Sequence, residues 1–256
     1  KDAKKVADQY KFPHITVDYQ DKFFHGVIDN FVETYAEGKT PVPCIQCNQT
    51  VKFRDLLNEA KSMNADTLVT GHYVRRCGNE TNAKLFKAKD EKKDQSYFLF
   101  ATLKNQLDFV RFPLGNFLKS EIREMAEKYN LSVSDKPDSQ DICFVNTKSY
   151  RDFINNLNPS INVEGNFVDY LGNILGKHNG IVNYTIGQRK GIGIGGNENR
   201  LYVIDINKKN NEVVLGVKSQ LKKTVISLDR INWLDESIEK INLKCAAKIR
   251  STQKEH

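Results

Sequence analysis

No stretch of this 256-residue chain approaches the ~18 consecutive apolar residues that a membrane-spanning helix requires, and no basic-then-apolar leader of the signal-peptide kind is visible. No internal repeat or low-complexity tract appears, which sets aside solenoids and linker-like chains. A second CxxC and a pair of histidines at finger spacing are also missing. The single CxxC, Cys44 and Cys47 in TPVPCIQCN, is therefore a poor half of a zinc finger. Cysteine is scarce and odd in number, five in all, and without a secretory segment this points to a reducing compartment where thiols do chemistry or bind metal.

The chain is longer than the usual single domain of roughly 100 to 200 residues, so two or three compact units are expected. Its 39% hydrophobic and 28% charged residues lie in the ordinary range of soluble proteins and allow a sizeable core. A formal charge of +7, with the lysines dispersed rather than gathered in a tail, suits a polyanionic partner. The sequence opens at Lys1 without an initiator methionine, already in a helical pattern, and closes on KIRSTQKEH in what reads as a strand, so a fragment is expected.

Periodicity divides the chain in two. In HITVDY, Ile15, Val17 and Tyr19 alternate as in a strand, and Phe24, Val27, Phe31 and Tyr35 then follow at helical spacing as far as Gly38. After a proline-punctuated loop over 39–48, Phe53, Leu56, Leu57, Ala60 and Met63 mark a second helix, and DTLVT is a β-branched strand that ends at Gly71. Strands alternating with helices predict a parallel, doubly wound α/β sheet, whose ligands sit beyond the strands' carboxyl ends, where Gly71, His72 and Tyr73 fall. Further helices are predicted on Tyr97, Phe100, Leu103 and Leu107 behind an Asp94 cap, on Ile122 to Tyr129, and on Tyr150 to Leu157. From about residue 161 closely spaced glycines break short β-rich runs, and RLYVIDINKKNNEVVLGV reads as a hairpin. From Thr224 the opening strands of another β unit are predicted.

Three thiols carry the most chemical information: Cys44 and Cys47, and the distant Cys143 in KPDSQDICF. A CxxC at a helix start has its thiol pKa lowered by the helix dipole, which yields nucleophilic thiolate near neutral pH. By itself the pair fits a redox dithiol, half a zinc site or part of an iron–sulfur site. Cys77 and Cys245 have no local partner and read as structural or incidental. GQRKGIGIGG lacks dinucleotide-loop spacing; its glycines suit tight turns, with Arg189 and Lys190 available to phosphates.

The blocks GKTPVPCIQCNQTVKF, NADTLVTGHYVRR, KDQSYFLF, FPLGNFLKSEIREMAEKYNL, KPDSQDICF and YTIGQRKGIGIGG occur in one order across the chain, and together they resemble the tRNA-specific 2-thiouridylases of bacterial and mitochondrial type. The resemblance implies a PP-loop ATPase-type sheet lacking its first strand and loop (1–145), a β-rich central domain (146–217) and the start of a C-terminal β-barrel (218–256). It further implies ATP with Mg²⁺ as cosubstrate, tRNA and a persulfide donor or relay protein as partners, no membrane, and a cytoplasmic location, or the mitochondrial matrix in a eukaryote. The implied chemistry is adenylation of the C2 oxygen of the wobble uridine, U34, then its replacement by sulfur, with Cys143 carrying a persulfide and Cys47 resolving it, a pairing that implies a disulfide.

Other positions follow by the same resemblance. Gly71 matches a nucleotide-contacting position; Val42, Pro43, Cys44, His72, Lys93, Asp94, Gln95, Arg250 and Ser251 match tRNA-contacting ones. Many members carry aspartate where Cys44 stands. Cys44, Cys47 and Cys143 would then ligate a [4Fe-4S] cluster, or Cys44 is a spectator at a tolerant position. No SGGxDS-type phosphate loop is found, so this polypeptide alone is expected to bind ATP weakly and to turn over poorly. Two further classes stay open: a non-catalytic RNA-binding remnant, and a redox or iron–sulfur protein that never meets RNA.

Overall fold

The computed structural model describes residues 2–79, 81–136, 142–147, 149–195, 200–235, 238 and 242–256. They divide into two compact units: Lys1–Gly26, Cys44–Asp138 and Arg230–His256 form one, and Val27–Pro43 with Ser139–Asp229 the other. No helix among the described residues is long and apolar enough to cross a membrane.

In the first unit the expected parallel sheet is a two-stranded pair, Leu68–Val69 beside Val110–Arg111, with Leu68 opposite Val110. Its core gathers Phe53 and Leu57 from the helix after the CxxC, Val110 and Phe112 from the strand region, and Val74, Leu99 and Leu107. An antiparallel pair, Val74–Cys77 with Lys84–Lys87, was not legible in the sequence. Its arginines and lysines leave only Val74 buried, so no apolar alternation marks it.

The HITVDY segment forms no strand: its backbone has no ladder partner and Ile15 is 63% exposed. Alternation alone cannot hold a strand without a neighbour to hydrogen-bond. The single helix expected over 97–107 is two pieces, a 3₁₀ turn Ser96–Leu99 and a helix Lys104–Phe109. The Asn232 side-chain amide donates to the carbonyls of Phe100 and Thr102 (2.8 Å each), the acceptors that a continuous helix would need. Gln106 Oε1 accepts from Leu103 N (3.0 Å) and starts the second piece. The proline-punctuated loop is also shorter than expected. Pro43–Cys47 is already helical and runs on through a π-helical segment, Asn48–Leu56, to Leu57–Ser62.

Gln20–Phe23, Phe24–Ile28 and Asp29–Ala36 form one helical run that belongs to the second unit from Val27 on; there it buries Phe31 and Tyr35, and Gly38 ends it at φ +71°. Phe31 and Tyr35 pack with Ile154 of the helix Tyr150–Leu157 and with Val182. The β-rich part is a four-stranded sheet in the order Ile174–His178, Gly165–Val168, Glu212–Gly216, Tyr202–Asn207, parallel only between Gly165–Val168 and Glu212–Gly216. No sheet among the described residues closes into a barrel. The expected opening strands of a terminal barrel are not formed: the described residues of 222–256 contain no strand, and Val225 and Leu228 are 80% and 73% exposed. With no partner strand, their β-branched composition has nothing to pair with.

Candidate functional site

Pro43 is buried at the first helical position, where its missing N–H is not needed, and Val42 before it is half-buried. Cys44 is exposed and Cys47 half-buried, one turn apart on this helix. The next residue fastens the turn. Asn48 is 3% exposed and its Nδ2 donates to Phe98 O (3.1 Å), while Gln106 Nε2 reaches Gln49 O at 3.5 Å. The backbone that carries Cys47 is thus tied to the segment after Gln95 and to the helix Lys104–Phe109.

A cleft opens at the carboxyl end of Leu68–Val69, lined by Lys52, Leu56, Val69, Gly71, His72 and Gln95 among others. Gly71 is exposed, and a Cβ there would meet only Leu114 Cδ1 at an ordinary 3.6 Å, so packing does not require glycine. The ring of His72 lies edge-on to Phe53 and Phe112 and its Nδ1 is hydrogen-bonded to Thr70 Oγ1. Burial first, and Lys52 second, push its pKa down to about 4, so this imidazole is neutral at physiological pH.

The Lys93–Gln95 stretch is tightly engaged. Asp94 Oδ1 accepts from Ala88 N (2.9 Å), its Oδ2 from Ser96 Oγ (2.6 Å), and Gln95 Oε1 from Tyr73 N (2.8 Å). Asp94 therefore organises its own loop, and Gln95 holds the backbone that follows His72. Tyr97 OH donates to Ile249 O (3.0 Å), and Lys87 pairs with Glu255, so Arg250 and Ser251, both exposed, belong to a segment docked on this part of the unit.

Cys143 lies in the second unit on a turn closed by Val145 N to Ile142 O (3.0 Å). Ile142 and Phe144 on either side pack into the Phe31 cluster, with Phe144 and Phe31 rings 5.3 Å apart, and Cys143 is left exposed between them. The expected disulfide is not formed: no two cysteines are bridged among the described residues. A bridge needs Cα atoms within ~7 Å, a condition that the spacing of two residues in the sequence cannot supply. The three-thiolate iron–sulfur set is likewise not assembled, since among the described residues no group of three or more His, Cys, Asp or Glu could hold a metal. Two of its members share one helical turn and the third belongs to the other unit.

Residues 1–147 match the family described as the tRNA methyl transferase HUP domain, and residues 151–217 match the tRNA methyl transferase PRC-barrel domain. The class is therefore a HUP-type α/β domain followed by a PRC-barrel-related β domain. The chain is 52% identical over 252 residues to the tRNA-specific 2-thiouridylase MnmA of Ehrlichia canis (strain Jake), covering 98% of this chain and 68% of that protein. It is 53% identical over 253 residues to that of Ehrlichia ruminantium (strain Gardel), with the same coverage, and 49% identical to that of Rickettsia conorii over 98% of this chain and 68% of the relative. The chain belongs to the tRNA-specific 2-thiouridylase family.

Proposed function

We propose that this chain performs sulfur transfer to C2 of the wobble uridine of tRNA, as an ATP-dependent 2-thiouridylase. The observation that carries the reading is the presentation of Cys143: exposed on a turn whose two flanking side chains are locked in a core, it is open to a sulfur donor without being free to wander. The matching family descriptions mention methyl transfer, but thiolation is what the relatives' names state, and thiols are the side chains it requires.

Cys143 receives sulfur as a persulfide and Cys47 resolves it; Cys44, in reach of solvent on the same turn as Cys47, assists at the target base. Val42 and Pro43, His72, Lys93 to Gln95, and Arg250 with Ser251 contact the tRNA or hold the segments that do. Gly71 offers bare backbone beside the apolar Leu56 and Val69, which fits the sugar and base of a nucleotide, and Lys52 lies in the same cleft to meet its charge. ATP, when bound with Mg²⁺, supplies the adenylyl group that turns the C2 oxygen into a leaving group. Neutral His72 can donate or accept a hydrogen bond there without competing for phosphate as a cation. The division into domains at 145 and 217 is proposed with it, supported by family matches that end at 147 and 217.

The test is direct. The chain is incubated with a persulfide donor and a persulfide-selective label is mapped by mass spectrometry; thiolation of a tRNA transcript with ATP is followed in a protein that carries these residues together with an SGGxDS-type phosphate loop, since this polypeptide alone is expected to turn over poorly. The label is expected on Cys143, and Cys143→Ser and Cys47→Ser are expected to abolish thiolation while Cys77→Ser does little. Thiolation that persists in Cys143→Ser would overturn the assignment.

A further inference from the structure

The glycine-rich loop of the second unit is built more carefully than a connector needs to be. Gln188 fixes its entry, with its Oε1 accepting from Thr185 N (3.2 Å), its Nε2 donating to Lys190 O (3.0 Å) and its backbone O accepting from Val203 N (2.9 Å). Ile192 is buried in the sheet core and Ile194 packs against it. Between these anchors Gly191 and Gly193 take φ of +73° and +77°, a left-handed geometry open to glycine, and both are exposed. The result is a preset loop with bare backbone.

The charged side chains among its described residues are basic. Arg189, Lys190 and Arg200 are exposed, and none of them forms an ion pair among the described residues. Arg189, Gly191, Gly193 and Arg200 line one depression. Beneath it lies Arg151, whose guanidinium comes within 3.7 Å of where a Cβ on Gly191 would stand and rests over the Tyr150 ring at 5.7 Å. Arg151 Nε is buried without a hydrogen-bond partner among the described residues. A buried guanidinium nitrogen without a hydrogen-bond partner is costly, and an anion is the ligand that would offset the cost.

We propose that this loop is a backbone-phosphate site for RNA, formed by Arg151, Arg189, Lys190, Arg200 and the open glycine backbone, and distinct from the thiol and nucleotide positions. It rests on the reading that tRNA is the substrate. Phosphate contacts of this kind position a polynucleotide without reading its bases, so the site would set the docking of the tRNA body and leave base choice to the other unit.

The experiment measures binding of an unmodified tRNA transcript to the full chain by fluorescence anisotropy over a series of KCl concentrations. Arg189→Gln with Lys190→Gln removes two phosphate contacts. The slope of log K against log salt should then become shallower by about 1.4 to 1.8, at ~0.7 to 0.9 per contact. Lys208→Gln with Lys209→Gln, on the hairpin turn, removes the same charge and should leave the slope unchanged. Arg151→Lys, with folding checked by circular dichroism, should weaken binding at every salt concentration. Equal slopes in the wild type and the Arg189/Lys190 variant would overturn the proposal while leaving the tRNA reading intact, as would equal losses in the two double variants. Wild-type chain that fails to bind tRNA would sink both. If the Arg189/Lys190 variant lost only competition by inorganic phosphate and kept its RNA affinity, the site would serve a free anion and the RNA assignment would be wrong.

Discussion

Asn48→Asp tests the account of how Cys47 is held, because it keeps the shape of the side chain and changes only its hydrogen-bond character. In the native protein Asn48 is 3% exposed and donates to the Phe98 carbonyl at 3.1 Å. An ionised aspartate would set one acceptor against another in a site closed to water. The alternative is to take up a proton, which restores an O–H donor to Phe98. At pH 7 protonation costs about 4 kcal/mol, from ~1.4 kcal/mol for each pH unit above the ordinary aspartate pKa of ~3.9. That figure caps the loss. The folded variant then binds a proton that its unfolded chain releases, so its stability relative to wild type falls as pH rises. The deficit should shrink by about 1.4 kcal/mol per unit between pH 7 and pH 4. Trp233, the sole tryptophan, belongs to the same unit and reports its urea unfolding by fluorescence. Wild type measured at each pH cancels other titrations. A deficit under about 1 kcal/mol at pH 7, or one independent of pH, would refute the Asn48 tether; the size of that cutoff is the net worth of one ordinary hydrogen bond.

Two further perturbations probe the same unit. The pKa of His72 is lowered to about 4, so it binds its proton more readily when unfolded; its contribution is full above the unfolded value of ~6.5 and is lost as pH falls toward 4, up to about 3 kcal/mol. His72→Gln should flatten that part of the stability profile, and unchanged acid sensitivity in urea titrations would contradict the burial argument. Gly115→Ala would place a Cβ 1.9 Å from Val74 O, against backbone that cannot swing aside. A loss of about 3 kcal/mol is expected, visible as a lowered Tm, and a Tm equal to wild type would show that the approach of 113–116 to the Val74 strand is wrongly drawn.

Most of what the sequence made legible came from apolar periodicity backed by burial. The helix around Phe31 and Tyr35, the helix Tyr150–Leu157 through Ile154, and the hairpin Tyr202–Gly216 through Val203, Val213 and Leu215 bury residues that their spacing picks out, whereas the short strand before Gly71 pairs as expected with its Val69 59% exposed. Failures cluster where a distant residue decides. The break between Ser96–Leu99 and Lys104–Phe109 depends on Asn232, more than 100 residues later, capturing two carbonyls, and nothing in the local text from 97 to 107 encodes that. The Val74–Cys77 pairing with Lys84–Lys87 hides behind arginines and lysines, because one buried valine is too little for a pattern.

The thiols show the same division between local and distant causes. That Cys44 and Cys47 share a helical turn follows from three intervening bonds of chain and a proline at the first position, so their spacing alone sufficed to place them together. Cys143 is exposed for a local reason too: Ile142 and Phe144 are apolar neighbours on both sides, and burying both turns the residue between them outward. A disulfide or a shared metal is a different kind of claim, since it requires two separately packed units to supply ligands to one point. Spacing in a sequence carries no information about that distance, whereas it does say which thiol each unit must present. Chemistry that passes sulfur from a loaded carrier needs only the latter at rest, and each cysteine is accordingly anchored by its own unit's core.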